Sequence, residues 1–339
     1  MQKERNIYID YLKGLLIILV VLGHAIQYIG YGNADAWNNY LYQLIYMFHM
    51  PLFIALSGYL AFFSIQKHPI TVFLKNKLLY IAVPMLVWCF FMAQVYFFCK
   101  NDLNILAFLK EFGLQLDISH WFLKAIIVYS LFVCFLTRFR WDTWFLVVSI
   151  ILITLFPFRV HFNLDLIISF YPFFVIGYLL GNVNMAKCYQ WCIRYIIPIV
   201  FVSVVCFFLW NKETYAYNTP SNWNCMPIVL LRLGGGVSVS ILFMLVSYFL
   251  FQKITSQKCI HTLTMVGQNS LGIYLMQSYV FLPFIIISKS ESLNISWFVQ
   301  VLLITFSPVL CILMSRWMDF VCKNKMLGFI FFGKSIARR

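Results

Sequence analysis

Hydrophobic residues in this chain form long, nearly uninterrupted stretches, and polar residues lie in the short segments between them. An α-helix needs about 20 apolar residues to cross the hydrocarbon core of a bilayer. We count ten stretches of roughly this length, at positions 8–29, 41–63, 74–98, 119–137, 142–158, 164–181, 191–210, 229–251, 266–288 and 295–315. This pattern predicts an all-α fold, a polytopic membrane helix bundle of about ten transmembrane helices.

Basic residues are unevenly divided between the loops on the two sides of the predicted bundle. Lysine and arginine are in excess before the first span, between the second and third, and after the fourth, sixth, eighth and tenth. Cytoplasmic loops carry such an excess, so both termini are predicted to be cytoplasmic. Spans five and six are the shortest and could form a re-entrant hairpin instead. The number of crossings would then still be even, and both termini would still be cytoplasmic.

The composition is that of an integral membrane protein. Of the 339 residues 63% are hydrophobic and only 11% are charged, whereas a soluble domain has about 25% charged residues. The formal charge of +14 lies in short clusters between the spans and not on one basic face, so no nucleic-acid partner is expected. No loop is long enough for a soluble domain, and residues 1–339 are predicted to form a single membrane domain.

The first span carries three ionisable residues, Asp10, Lys13 and His24. Asp10 and Lys13 are three residues apart and can pair on adjacent turns. Lys13 and His24 are eleven residues apart, so they point to one side of the helix, about 16 Å apart along its axis. Ionisable residues inside a membrane helix usually mark a pathway or a site. Alternatively, Asp10 and Lys13 form a structural ion pair that snorkels to the inner boundary, and His24 is a packing histidine.

Two more histidines are predicted near the depth of His24, each from a different span. His49 precedes Pro51, which removes a helix hydrogen bond and predicts a kink. There His49 either takes part in chemistry or satisfies backbone carbonyls. His120 opens the fourth span together with Trp121, although a tryptophan at this boundary is also ordinary for a membrane protein.

Two other polar positions are candidates for substrate contacts. Ser57 stands beside Gly58 two turns after His49, where a small pair favours close helix packing over chemistry. Arg232 precedes a run of three glycines near the predicted outer side and would suit an acidic or phosphorylated acceptor.

These stretches resemble the membrane-bound O-acyltransferases known as acyltransferase family 3, and most closely its fucose 4-O-acetyltransferase-like branch. The opening IDYLKGLLIILVVLGH matches the family's aspartate, basic residue, ten further residues and histidine, which places the basic residue on Lys13 and the catalytic histidine on His24. FHMPLFIALSGY (48–59) and HWFLKAIIVY (120–129) are similar to two further family segments. GQNSLGIYLMQSY (267–279) resembles a fourth, in which Gln277 stands where histidine is usual. An amide there can still hydrogen-bond a substrate.

The resemblance implies acyl transfer from a cytoplasmic acyl-CoA, expected to be acetyl-CoA, to a hydroxyl of a cell-surface or lipid-linked saccharide. The expected partners are therefore acyl-CoA, a saccharide or lipid-linked glycan acceptor and membrane lipid, and the expected location is the cell (inner) membrane, crossed several times. No metal is expected, because the ten cysteines are scattered without a C-x-x-C pair.

The same resemblance assigns roles to the polar residues. A neutral imidazole at His24 would take the proton of the attacking hydroxyl, and an acyl-imidazole intermediate is the other possibility. His49, Ser57 or Trp121 would donate to the tetrahedral oxyanion. We expect Lys13 to meet the phosphate-bearing part of CoA, with Asp10 fixing its position.

Two other classes of protein compete with this interpretation. A glycan exporter or flippase would use the ionisable residues to line a transport route, and proline-broken helices would suit it, but the sequence shows no inverted repeat. A receptor-like or assembly subunit without catalysis is the third interpretation, and it predicts that Lys13 and His24 can be replaced without effect.

Overall fold

The computed structural model describes residues 6–30, 36–99, 104–138, 143–155, 162–216, 225–287 and 297–334, and all regular secondary structure in these ranges is helical. The α-helices are α1 (Ile7–Ala25), α2 (Tyr40–Lys67), α3 (Ile70–Lys77), α4 (Val83–Cys99), α5 (Ile105–Ile118), α6 (Trp121–Arg138), α7 (Thr143–Leu155), α8 (Phe162–Leu180), α9 (Met185–Arg194), α10 (Ile196–Leu209), α11 (Met226–Lys253), α12 (Gln257–Gln268), α13 (Ser270–Ile287), α14 (Trp297–Val321) and α15 (Lys325–Phe332). The prediction of an all-α membrane protein is confirmed.

Within the described residues, six helical segments are long and apolar enough to cross a membrane. They are Ile7–Gly30, Tyr40–Lys67, Ile70–Phe98, Trp121–Arg138, Met226–Lys253 and Val301–Val321. A seventh is added if α8 and α9, which are separated by a sharp break, count as one span. The protein is therefore multi-pass, but the predicted number of ten spans is not confirmed.

Some of the predicted spans are interrupted in the structure. The predicted seventh span breaks at Tyr195 into α9 and α10, and the 14 residues of α10 extend only about 21 Å. The predicted ninth span breaks at Asn269, which ends α12 and is followed directly by α13. Hydropathy averages over such breaks, since a single non-helical residue leaves the local composition unchanged.

The described chain separates into two compact units. Of the described residues, those in 6–56, 183–216 and 225–317 form the first unit, and those in 57–182 and 318–334 form the second. One functional domain over the whole chain stays a prediction.

In the first unit, α1 packs against α11, α12 and α13. Its N-terminus is capped by Asn6, whose side chain accepts from the backbone N–H groups of Tyr8 and Ile9. Glycine makes the contact with α12 close, because a Cβ atom added at Gly267 would overlap the carbonyl oxygen of Asp10. After α1, the backbone widens into a π-helical turn, Ile26–Gly30, a feature often found at functional sites.

In the second unit, α6 and α7 pack on α8, and α4 packs on α5 and α15. The indole of Trp88 donates a 2.8 Å hydrogen bond to the carbonyl of Phe331 and so ties α15 to α4. A Cβ atom at Gly58 would overlap the carbonyl oxygen of Phe174 on α8. The predicted close packing at the Ser57–Gly58 pair is thereby confirmed.

Candidate active site

Asp10 and Lys13 lie near the beginning of α1 and form the ion pair that their spacing predicts. Lys13 Nζ lies 4.0 Å from Asp10 Oδ1, and the side chains are 20% and 7% exposed, respectively. The amide of Gln268, the last residue of α12, donates to the other carboxylate oxygen at 3.4 Å. The Asp10 carboxylate is thus contacted by side chains of α1 and α12, and the Lys13 side chain is the more exposed member of the pair.

His24 lies at the other end of α1, and its imidazole packs against two aromatic rings of the first unit. The ring of Tyr28 stacks on it with centroids 5.6 Å apart and planes 6° apart, and Phe281 of α13 lies 6.5 Å away. The Nδ1 atom is buried and makes no hydrogen bond to any described residue. Buried polar atoms are usually paired, so this nitrogen is a place where a polar group of a ligand would be stabilised.

Gln27 lies in the π-helical turn that follows α1, three residues after His24. The hydroxyls of Tyr42 and Tyr46 both donate to Gln27 Oε1, at 3.4 and 3.2 Å. The two tyrosine rings stack with their centroids 3.9 Å apart, which holds both hydroxyls toward the same amide.

His49 contacts this cluster from α2. Its Nδ1 lies 2.6 Å from the carbonyl oxygen of Ile45, and its ring packs edge-on against Tyr46 at 4.7 Å. Because a carbonyl only accepts, Nδ1 carries the proton and donates it, and Nε2 of the neutral ring holds the lone pair. The His24 and His49 imidazoles are close enough to interact electrostatically. His49 therefore satisfies a backbone carbonyl and also presents one accepting nitrogen.

Two further polar side chains named from the sequence are buried in the first unit. Gln277 of α13 is 3% exposed, and its Oε1 makes no hydrogen bond to any described residue. It lies one turn before Phe281, on the same helix face, and Phe281 contacts the His24 ring. Arg232, in the second turn of α11, is 4% exposed, and its contact with an acidic acceptor stays a prediction.

The remaining candidates belong to the second unit. His120 joins α5 to α6 with a backbone φ of 52°. This conformation is rare in residues other than glycine, and where it occurs it is often at a functional site. The side chain of His120 is buried, with 5% of the residue exposed. The Trp121 indole stacks on Phe170 at 5.3 Å, as a packing tryptophan does, and Ser57 is partly exposed.

Asp10, Lys13, His24, His49, Gln277 and Arg232 thus lie in the first unit, and Ser57, His120 and Trp121 lie in the second. Gln27, Tyr46 and Gln268 also lie among these groups and were not predicted from the sequence. The spacing of Gln27 three residues after His24 was the available signal, but glutamine and tyrosine do not stand out in an apolar span as ionisable residues do. Among the described residues, no three side chains of the metal-binding types come together.

Comparison with known proteins gives two kinds of similarity. A family described as an acyltransferase domain matches residues 6–317. Nodulation protein NolL from Mesorhizobium japonicum is 29% identical over 322 residues, covering 91% of this chain and 83% of that protein. Nodulation protein NolL from Sinorhizobium fredii is 31% identical over 290 residues, covering 82% of this chain and 78% of that protein. No solved structure matches the chain.

Proposed function

This chain belongs to acyltransferase family 3, and from that premise we propose that it moves an acetyl group from cytoplasmic acetyl-CoA to a hydroxyl of a cell-surface or lipid-linked saccharide. Membership makes the protein a membrane O-acyltransferase. The donor, the acceptor and a location in the cell (inner) membrane belong to the proposal. They are supported by the resemblance to fucose 4-O-acetyltransferases and by the similarity to two proteins named for nodulation.

The observation that carries the proposal is the pair of groups on α1. Lys13 lies three turns from His24 on one side of the helix, and the buried Nδ1 of His24 has no partner among the described residues. The rise of about 16 Å between them is comparable to the length of an extended pantetheine arm. Lys13 would bind the phosphate-bearing part of CoA, and the thioester would lie beside His24.

In the proposed reaction His24 acts as general base. The saccharide hydroxyl oxygen attacks the thioester carbonyl while its proton passes to His24 Nδ1. The tetrahedral intermediate then collapses, the C–S bond breaks, and the CoA thiolate takes the proton back from the imidazole. In the alternative, His24 itself attacks the thioester and an acyl-imidazole forms first.

The other buried polar groups have complementary roles in this proposal. Gln277 can donate its amide N–H to the oxyanion, while its unpaired Oε1 accepts from a sugar hydroxyl. His49 suits the oxyanion less well than its sequence position suggests, because its proton is used by Ile45 and Nε2 only accepts. We assign it instead to a second sugar hydroxyl.

The test of the proposed function is transfer of radioactive label. Membranes that contain the protein, and matched membranes without it, are given [14C]acetyl-CoA, and label is measured in the saccharide fraction. We expect alkali-labile label in the saccharides only where the protein is present. If no label is transferred but export of the glycan depends on the protein, the exporter interpretation replaces this one.

A further inference from the structure

The helix α5 of the second unit exposes apolar side chains and buries polar ones. Leu106, Leu109 and Leu114 are 69%, 54% and 46% exposed, whereas Glu111 and Gln115 are only 5% and 3% exposed. Single exposed leucines are common in soluble proteins, but buried polar residues opposite an apolar surface on one helix are informative. This is the polarity of a membrane helix, in which polar side chains face the protein interior and apolar ones face lipid.

The buried polar side chains of α5 are hydrogen-bonded to one another. Gln115 donates its amide to Glu111 Oε1 at 2.9 Å, and the Ser119 hydroxyl donates to Gln115 Oε1 at 2.7 Å. The three residues are spaced four apart, so they form one row along the helix. Because the row is paired within itself, it depends less on water than separate polar side chains would.

α5 runs back alongside α4, the helix that precedes it. Near the end of α4, the ring of Phe97 lies 5.6 Å from that of Phe108. Two turns earlier on α4, the ring of Phe90 lies 6.0 Å from that of Phe112, and the Cys89 thiol donates to the carbonyl of Gln115 at 3.7 Å. Successive residues of α5 thus meet successively earlier residues of α4, and the two helices are antiparallel.

The charges before α4 indicate how deep this pairing lies in the membrane. The 21 residues 78–98, which follow Lys75 and Lys77, contain no charged side chain. At 1.5 Å per residue they extend about 30 Å, the thickness of the hydrocarbon core. With the lysines at one boundary, Phe98 lies at the other, and Cys89, nine residues earlier, lies about 14 Å below it. Its contact with Gln115 places the end of α5 at that depth.

The turn from α5 to α6 is satisfied without solvent. The last carbonyl groups of a helix have no partner within the helix, and lipid offers no hydrogen-bond donor. Here the ammonium group of Lys124 donates to the carbonyl oxygens of Leu116 and Asp117. The carbonyl of His120 accepts from the backbone N–H of Leu123 at 3.0 Å. A turn inside a bilayer requires such internal partners.

We propose that α5 is a re-entrant helix, which enters the leaflet in which α4 ends and rests its apolar face on lipid acyl chains. Continuity with α4 identifies lipid as the occupant, because Phe90 and Phe98 of that spanning helix are themselves 40% and 65% exposed. One apolar surface therefore extends over both helices. The inference is independent of the proposed reaction.

The proposal also accounts for the exposed cation on this helix. Lys110 is exposed, but it lies six residues after Asn104, only about 9 Å along the axis from the end of α5 that enters the membrane. Its long side chain can therefore return its ammonium group to the boundary. Trp121, which was predicted at the boundary, would lie below it at the start of α6.

The accessibility of a spin label to two relaxing agents tests this placement. Oxygen concentrates in the bilayer, whereas nickel ethylenediaminediacetate stays in water. In the full-length protein, p-acetylphenylalanine replaces one residue at a time and is coupled to a hydroxylamine nitroxide, so the native cysteines stay in place. The test positions are Leu106 and Leu114, and measurements are made in lipid nanodiscs by power-saturation electron paramagnetic resonance.

Two further positions provide the references. Val246, 57% exposed on the spanning helix α11, represents lipid, and Gln257, exposed at the start of α12, represents water. We expect the ratio of oxygen to nickel accessibility at Leu114 to equal that at Val246. The ratio at Leu106 should be intermediate, since this residue lies about 12 Å nearer to the boundary. Circular dichroism verifies folding, and Leu109 replaces either test position if the label there prevents it.

Each outcome decides the proposal. A ratio that rises from Leu106 to Leu114 and reaches the Val246 value supports a re-entrant helix. Nickel accessibility at Leu114 equal to that at Gln257 overturns the proposal, because α4 and α5 would then project into water. Low accessibility to both agents at Leu114 also overturns it, because a second copy of the chain or another protein would then cover this face. None of these results depends on acetyl transfer.

Discussion

At the residue scale, the two groups to which we assign the contacts with donor and acceptor lie on one helix. Lys13 is paired with Asp10 and partly exposed near the beginning of α1, whereas His24 lies at the end of the helix among aromatic rings. Because both belong to one uninterrupted α-helix, their separation is set by the helical rise and does not depend on loop conformation. Each residue can therefore be tested by its own kinetic parameter.

The first prediction concerns Lys13. Lys13→Met is expected to raise KM for acetyl-CoA by about 10- to 100-fold with a smaller effect on kcat, because a hydrogen bond to a charged group contributes about 1.5–3 kcal/mol. Steady-state kinetics with acetyl-pantetheine, which lacks the phosphates, provides the control, and its KM should be equal in both proteins. An unchanged KM for acetyl-CoA would leave Lys13 as one half of a structural ion pair.

The second prediction concerns Gln277. Gln277→Leu keeps the volume but removes both hydrogen-bonding groups, and the transfer rate should fall by about 10²-fold, the lower range for loss of one oxyanion donor. The rate of label transfer at saturating acetyl-CoA measures this. Because the Gln277 carbonyl oxygen is buried without a partner among the described residues, the variant should be no less stable than wild type. Normal transfer by Gln277→Leu would assign the position to packing.

Residue chemistry was predictable where it followed from spacing along one helix. The side-by-side placement of Asp10 and Lys13 follows from three-residue spacing, and the structure shows their ion pair. The proton on His49 Nδ1 depends on where one backbone carbonyl lies, and spacing did not distinguish this from a chemical role. Gln268 meets Asp10 across two helices, and no local pattern brings residues so distant in sequence together.

At the scale of elements, the position of the candidate site depends on how closely α1 and α12 approach each other. A Cβ atom at Gly14 would overlap the carbonyl oxygen of Leu263, and one at Gly267 would overlap that of Asp10. Glycine on both helices lets the backbones touch, as small residues do in membrane bundles. This contact carries the Asp10–Gln268 hydrogen bond.

The third prediction tests that approach. Gly267→Ala should destabilise the protein by about 1–3 kcal/mol or more, as overpacking does, because backbone atoms must move to admit the methyl group. Thermal unfolding of the purified protein measures the loss. Gly113→Ala is the matched control: no atom lies within 4 Å of its added Cβ, and alanine favours a helix over glycine by about 1 kcal/mol. Equal melting temperatures for Gly267→Ala and wild type would contradict the close contact.

Helices were predictable from the sequence to the extent that hydropathy defines them. The first two spans were predicted close to their observed bounds, since each is one continuous apolar helix. The break at Asn269 was missed because its cause is tertiary: the Asn269 amide donates to the Ser315 hydroxyl of α14 at 2.7 Å. Such a contact outweighs the tendency of the backbone to continue the helix.

At the scale of the whole molecule, the charge of the loops predicts the orientation of the protein in the membrane, which the helices alone do not define. Both termini lie on one side only if the number of crossings is even. The excess of lysine and arginine on alternate loops predicts that this side is the cytoplasm. With this orientation, the proposed acetyl-CoA donor would reach Lys13 from the cytoplasm, and His24 would lie toward the opposite face.

The fourth prediction is this orientation. Green fluorescent protein fused after position 339 should fluoresce, and alkaline phosphatase at the same place should be inactive. Alkaline phosphatase fused after position 220, in a loop predicted to be outside, should be active and is the control. An active phosphatase at the C-terminus would reverse the orientation and remove the cytoplasmic route from acetyl-CoA to Lys13.

The most direct measurement is kcat for acetyl transfer by His24→Ala compared with His261→Ala. Both variants remove an imidazole, but His261 lies exposed on α12 and has no role in the proposed reaction. With His24 as the base, kcat of His24→Ala should fall by 10²–10⁴-fold, about 10³-fold at the centre of that range, while His261→Ala keeps the wild-type rate. Equal and undiminished rates in the two variants would contradict the claim that the proton passes to His24.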